Sequence, residues 1–199
     1  GYCKLAVCNR DPNIVPASGE SSASQSPWTN MWGQHDGYSE GHMIEGAVAH
    51  YMATGNTAWL TVAKSAGEEA YNWFIVRGNN GFCGHAQMEP ALHELYRVTG
   101  NTHFRDIGDY FVGIRGHNAN GSTAVDPADP NVIGGDGGGT WKGYFQDDLP
   151  IEQQTAINGH AVRSVYFWAG AADAVLQGRS DWYNPMYRVW KNCTKRKVY

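Results

Sequence analysis

Apolar side chains recur at helical spacing in three separate stretches of this chain. Ile44, Ala47, Val48 and Tyr51 fall at i, i+3, i+4 and i+7, which gives a helix one face to bury. The pattern stops at Thr54-Gly55-Asn56, where glycine suits the left-handed end of a helix. A second helix follows with Ala63, Ala66, Ala70 and Phe74 inward, and the unit then repeats. Met88, Ala91, Leu92 and Leu95 predict the next helix, Thr99-Gly100-Asn101 its end, and Phe104, Ile107, Gly108 and Phe111 its partner. Tyr51 and Tyr96, like Asn56 and Asn101, stand roughly 45 residues apart, the period of a helical repeat array. A looser third copy runs from Gly159-His160 through Val165, Trp168, Ala169 and Ala172. It turns near Gly178 and returns with Met186, Val189, Trp190 and Cys193.

The predicted fold class is all-α, built of antiparallel helical hairpins. Residues 1–35 are rich in Ser, Pro, Gly and Asn and read as a loop-rich segment with a short strand near Leu5–Val7. Residues 36–199 hold the hairpins, interrupted by a polar, Gly-rich loop at 117–140. Three hairpins do not close on themselves, so a remaining domain or a subunit is expected to cover the open edge. The chain opens at Gly1 rather than Met, and its last helix runs to Tyr199 without a cap. Both ends are expected to continue.

Composition narrows the function. Aromatic residues make up 13% of the chain, a load that packs large rings or presents them to flat apolar faces such as those of sugars. The formal net charge of −4, with Lys195-Arg196-Lys197 as a short basic run, argues against nucleic acid. No apolar run approaches the ~20 residues of a membrane span. Cys3, Cys8, Cys83 and Cys193 lack zinc-ribbon spacing, and the Cys3/Cys8 pair is either a local disulfide or two thiols. Asp126, Asp129 and Asp136 do not follow the EF-hand pattern for calcium. Asn120-Gly121-Ser122 and Asn192-Cys193-Thr194 match the N-glycosylation tripeptide, which leans towards an extracellular setting.

His42, His85 and His160 each follow a glycine at the start of a hairpin's first helix. Hairpins return the chain, so these first helices run alike and their N-termini share one rim. The three histidines then converge on a ligand, with Gly41, Gly84 and Gly159 allowing a ligand or neighbouring backbone to come close. Sugar hydroxyls are one such ligand. A structural role and a shared metal are the alternatives, and zinc requires nitrogens ~2.0–2.1 Å from one ion. Glu45 and Glu89 lie three and four residues after His42 and His85, on the same helical faces. They serve either to hold their histidines or, as a pair across a cleft of ~6.5–9.5 Å, to hydrolyse a glycosidic bond with inversion. Tyr144 to Gln154 brings further polar side chains ahead of the third hairpin.

Several of these blocks resemble one family. Gly41-His42-Met43-Ile44-Glu45-Gly46-Ala47-Val48-Ala49-His50-Tyr51 is similar, nearly letter for letter, to the Gly-His-Leu-Ile-Glu-Ala-Ala-Val-Ala-His-Tyr segment of the β-L-arabinofuranosidases of glycoside hydrolase family 127. Gly84-His85 through Glu89, with Ala91-Leu92, Leu95-Tyr96 and Thr99-Gly100, resembles a second block. Tyr144-Phe145-Gln146-Asp147 with Leu149-Pro150, then Gly159-His160-Ala161-Val162-Arg163 with Val165-Tyr166, resembles a third. Order and spacing agree from about Trp32 to Tyr199.

The resemblance implies part of an (α/α)6 toroid, flanked in the family by β-sandwich domains, and removal of terminal β-L-arabinofuranose with retention. It implies that His42, His85 and His160 contact the arabinose, with Glu45 and Glu89 supporting them. The family's nucleophile is a zinc-bound cysteine and its acid/base a glutamate, both downstream of the stretch matching Val198-Tyr199. None of the four cysteines falls at a matching position. This chain is therefore expected to carry substrate-binding but no catalytic or zinc-binding residues. A non-catalytic carbohydrate-binding or extracellular structural protein is the alternative.

Overall fold

A computed structural model of the chain describes Trp28, Met31, residues 35–117 and residues 141–197. The expected strand at Leu5–Val7, the Cys3/Cys8 pair, the three loop aspartates and the Asn120 tripeptide lie outside the described residues. Regular structure among the described residues is all helical: α1 (Asp36–Thr54), α2 (Ala58–Tyr71), α3 (Met88–Thr99), α4 (Thr102–Gly113), α5 (Trp141–Tyr144), α6 (Ala161–Leu176) and α7 (Tyr183–Arg196). A π-helical turn, Asn72–Val76, extends α2. None of the described helices is long and apolar enough to cross a membrane.

The repeated Thr-Gly-Asn-Thr string folds the same way twice. Gly55 and Gly100 take left-handed φ of 72° and 69°, and each N–H closes its helix on Tyr51 O or Tyr96 O at 2.8 Å. Thr54 and Thr99 donate their hydroxyls back to the carbonyls of His50 and Leu95, both at 2.7 Å. Asn56 and Asn101 then accept from the backbone N–H groups of Ala58 and His103, opening the following helix. One short sequence thus ends one helix and starts the next, which fixes the hairpin.

Helix α1 packs on α2 and α3; α3 packs on α4 and α6; α2 packs on α4. The first helices of the hairpins form one row and their partners a second. Ile44, Ala47, Ala63, Ala66, Ala70, Leu92, Leu95, Phe104 and Ile107 are wholly buried between them, so the predicted inward faces of the first two units are the observed ones. Close approach rests on small residues. A Cβ on Gly67 would lie 2.8 Å from the Phe104 ring, and one on Gly170 would lie 2.5 Å from Glu89 Cβ.

The third unit corrects the sequence reading. Val165, Ala169 and Trp190, which the spacing places in the helices of the third copy, are exposed. Trp168 is buried as the spacing predicts, together with Phe167, Gly170, Ala171 and Ala174, and on α7 Pro185 and Val189 are buried. The apolar set on α6 is nearly continuous, so spacing alone did not fix the angle of its buried stripe. Asn192 lies within α7 and accepts from Ile157 N at 3.3 Å, so its tripeptide sits in helix rather than in loop.

An ion pair crosses this core. Arg115, just past α4, donates from Nη2 to Glu89 Oε1 at 2.7 Å, and the two side chains are 1% and 2% exposed. Arg115 also reaches Phe145 O at 2.7 Å and Cys83 O at 3.2 Å, and lies over the rings of Phe82 and Phe167. Removing one member of such a pair strands a charge, whereas replacing both by apolar groups costs far less. Arg115→Met should lower stability by about 3–5 kcal/mol in urea titrations, and Arg115→Met with Glu89→Met should recover most of that loss.

Glu40 is the opposite case. It is buried on α1 and neither carboxylate oxygen has a hydrogen-bond partner. Burial, with Glu69 and Asp36 nearby, pushes its carboxyl from 4.5 up to about 8. Because the folded value exceeds the unfolded one, this group's contribution is intact below pH 4.5 and is lost as pH rises to about 8. Glu40→Gln should flatten the decline in urea midpoint between pH 5 and pH 8, and an unchanged slope would refute the assignment.

Candidate functional site

The three histidines reach one cluster by different routes. His42 projects from the second turn of α1, well inside the helix rather than at its start. His85 lies in the segment before α3, and His160 caps α6. Tyr38 precedes His42 by one helical turn and its ring lies 4.5 Å from His42 and 4.2 Å from His85. His85 stands 6.2 Å from His160, and Tyr166 stands 5.8 Å from His42 and 5.7 Å from His85, centroid to centroid. His35 and Tyr144 close the margin at 5.8 Å from His85 and 5.3 Å from His160.

The glycines before the histidines serve the backbone. A Cβ on Gly41 would lie 2.7–2.8 Å from Gln87, which begins α3. Gly159 has φ +74°, and a Cβ there would lie 2.2 Å from Gly143 O. The first contact draws α1 onto the start of α3, and the second seats the start of α6 against α5.

Hydrogen bonds assign the ring nitrogens. His85 Nδ1 lies 3.0 Å from Ala86 O, and a carbonyl only accepts, so the proton is on Nδ1 and Nε2 is an acceptor. His160 Nδ1 accepts from Arg163 N at 3.4 Å, so in the neutral ring the proton is on Nε2, a donor. Burial pulls His85 down to about 4, and burial with the nearby Arg163 also lowers His160. Both rings are neutral at pH 7 and offer complementary roles.

Glu45 and Glu89 part company. Glu45 Oε2 lies 3.4 Å from His42 Nδ1 and accepts from Gln87 Nε2 at 2.7 Å, so it touches its histidine while half exposed. Glu89 accepts from Arg115 and from Gln87 N at 3.0 Å. It anchors the core and the start of α3, and His85 is held by Ala86 O instead. Glu89, 2% exposed and bonded to Arg115, has no carboxylate oxygen free to act in an inverting pair with Glu45.

Spacing does not single out Tyr38, Tyr166, His35 or Arg163 as site residues, while Tyr144 opens the polar stretch expected ahead of the third hairpin. Tyr38 carried a signal, being one turn before His42 on the same helix, and Arg163 lies one turn after His160. Tyr166 and His35 are brought in by packing between elements. Among the described residues no three His, Cys, Asp or Glu side chains are grouped to hold a metal. Cys83, two residues before His85, is a buried free thiol raised to about 11 by burial, and Cys193 is free on α7.

A family description, the β-L-arabinofuranosidase catalytic domain of glycoside hydrolase family 127, matches residues 12–199. The chain belongs to that family. It is 33% identical to the non-reducing end β-L-arabinofuranosidase of Bifidobacterium longum subsp. longum, over 98% of this chain and 32% of that protein. A GH127 β-L-arabinofuranosidase structure from Geobacillus stearothermophilus T6 superposes with a TM-score of 0.73 at 32% identity, over 87% of this chain and 28% of that one. A second GH127 β-arabinofuranosidase structure gives 0.67 at 30% identity, covering 90% and 26%. The chain thus spans about a third of the length of the relatives it matches, and its helices match part of the GH127 catalytic domain.

Nitrogen-15 NMR can test the tautomers in this GH127 chain. His85 should stay neutral with its proton on Nδ1 down to about pH 4, while neutral His160 should carry its proton on Nε2. A His85 ring that titrates near 6.5 would contradict the burial argument.

Proposed function

We propose that this chain is the substrate-holding part of a β-L-arabinofuranosidase catalytic domain. The observation that carries the reading is the gathering of His42, His85 and His160 with Tyr38 and Tyr166, from helices far apart in sequence, into one ring cluster. In this reading α1, α3 and α6 are three inner helices of an (α/α)6 toroid, and α2, α4 and α7 are their outer partners. The cluster receives a terminal β-L-arabinofuranose of an arabinofuranoside glycan.

The chemistry suits a sugar. His85 Nε2 accepts a hydrogen bond from one hydroxyl and His160 Nε2–H donates to another, while the tyrosine rings offer flat apolar faces. A site built for specific hydroxyls rejects sugars that lack them, because its buried polar groups would stay unpaired. His42 completes the set, braced by Glu45. Glu89 supports the site at one remove by fixing Arg115 and the start of α3.

The family's zinc does not fit the described residues. No three His, Cys, Asp or Glu side chains are grouped among them, and the thiol of Cys83 is held protonated by burial. Nucleophile, acid/base and metal therefore come from the remainder of the catalytic domain. Tyr183, Tyr187 and Trp190, stacked and exposed along α7, belong to the edge which that remainder covers.

Ligand-observed NMR with methyl β-L-arabinofuranoside tests the proposal. The chain should bind the glycoside without cleaving it, and His85→Ala or His160→Ala should weaken binding at least tenfold, about 1.4 kcal/mol. Absence of binding, or cleavage by the chain alone, would overturn it.

A further inference from the structure

Arg163 stands beside the histidine cluster without the acidic partner that four other described arginines have. Arg115 pairs with Glu89, Arg179 with Asp181 and Asp109, Arg105 with Asp106 and Arg97 with Glu94. Arg163 is 8% exposed, and no Asp or Glu among the described residues forms an ion pair with it. Its guanidinium lies 4.6 Å from the Tyr144 ring centre and 4.7 Å from that of Phe145. Nη2 donates to His35 Nε2 at 3.2 Å, and Nε is buried with no acceptor.

Two aromatic rings offset part of the cost of burying a cation and orient its plane. They supply no oxygen for its N–H groups and no opposite charge. The imidazole of His35 satisfies one donor, and that residue is itself held in a left-handed conformation at φ 54°. Burial draws the Arg163 pKa down, and no carboxylate acts on it in opposition. A planar guanidinium with an unmet N–H, fixed at the rim of a sugar-sized cluster, matches a planar anion that accepts two parallel hydrogen bonds.

We propose that Arg163 is a carboxylate-binding residue at the edge of the histidine cluster. This rests on the reading of that cluster as the sugar site. The carboxylate comes either from an Asp or Glu in the remainder of the catalytic domain, which Arg163 would position over the sugar, or from a uronic acid in the glycan. Arg163 acts through that carboxylate and is a positioning and specificity residue.

NMR titrations of the 199-residue chain with acetate, galacturonate and methyl β-L-arabinofuranoside separate these cases. Acetate and galacturonate should each shift the Arg163 Nε–H and His35 ring signals saturably. Arg163→Gln should weaken both at least tenfold. Arg163→Lys, which keeps the charge but not the fork, should retain part of the affinity and guards against loss of fold. Similar affinity for the two acids assigns the carboxylate to a protein side chain, and galacturonate at least tenfold tighter than acetate assigns it to the glycan. No saturable shift with either acid, or shifts that persist in Arg163→Gln, would overturn the proposal. The neutral glycoside reports separately. Failure of the neutral glycoside to bind the unaltered chain, alongside intact acetate binding, would count against the sugar reading alone.

Discussion

The buried pair of Arg115 and Glu89 sets the constraint that joins core to site. A guanidinium taken out of water needs acceptors, and Arg115 finds them for Nη1 and Nη2 on three different segments, its Nε having none among the described residues. Glu89 belongs to the first turn of α3, Cys83 O to the segment that carries His85, and Phe145 O to the segment that carries Tyr144. Each acceptor lies within two residues of a group lining the cluster or at the base of its helix. The requirement to satisfy one cation therefore holds α3 and two irregular segments in register. Gly170 lets α6 close to within contact of Glu89 Cβ, bringing His160 and Tyr166 to the same place.

Irregular segments hold polar side chains well only when their backbone groups are paired. Here the second pairing is local. Asp147 Oδ1 accepts from Gly116 N at 2.5 Å, Gln146 Nε2 donates to Tyr144 O and Asn158 O, and Arg188 closes on Gln154 O. The stretch from 144 to 160 is thus tied to the end of α4, to itself and to α7 before α6 begins. Burial then keeps His85 and His160 neutral. The fold spends its charge pairing on the core and leaves neutral donors and acceptors in the cluster, as recognition of hydroxyls requires.

Much of this was legible in the sequence because the first two hairpins are written in strong local code. The Thr-Gly-Asn-Thr turns and the small residues facing Phe104 specify helix ends and buried faces without help from the rest of the chain. The third unit was harder. Helix α6 is apolar on most sides, so Val165 and Phe167 were equivalent by spacing and only packing against α3 separates them. Convergence of the histidines was deduced from a common rim, yet His42 sits inside α1 and His85 in a loop. They meet because Gly41 packs on Gln87, a contact no local rule announces. Glu89 shares a helical face with His85 in sequence, but a cation 26 residues away claims it. Tertiary competition of that kind is invisible to spacing.

The same competition explains why Arg163 differs from Arg115. Both are buried arginines over two aromatic rings, in segments that meet near Phe145. Of the two, only Arg115 has an acid among the described residues. Were both paired within this chain, the cluster would present neutral imidazoles alone and would read hydroxyl pattern but not charge. With Arg163 unpaired it keeps one directed cation at its margin, and the electrostatics of the finished site depend on what that cation meets. In the proposed reading the described residues supply neutral hydrogen-bonding groups for a sugar, and Arg163 meets a carboxylate that none of them provides.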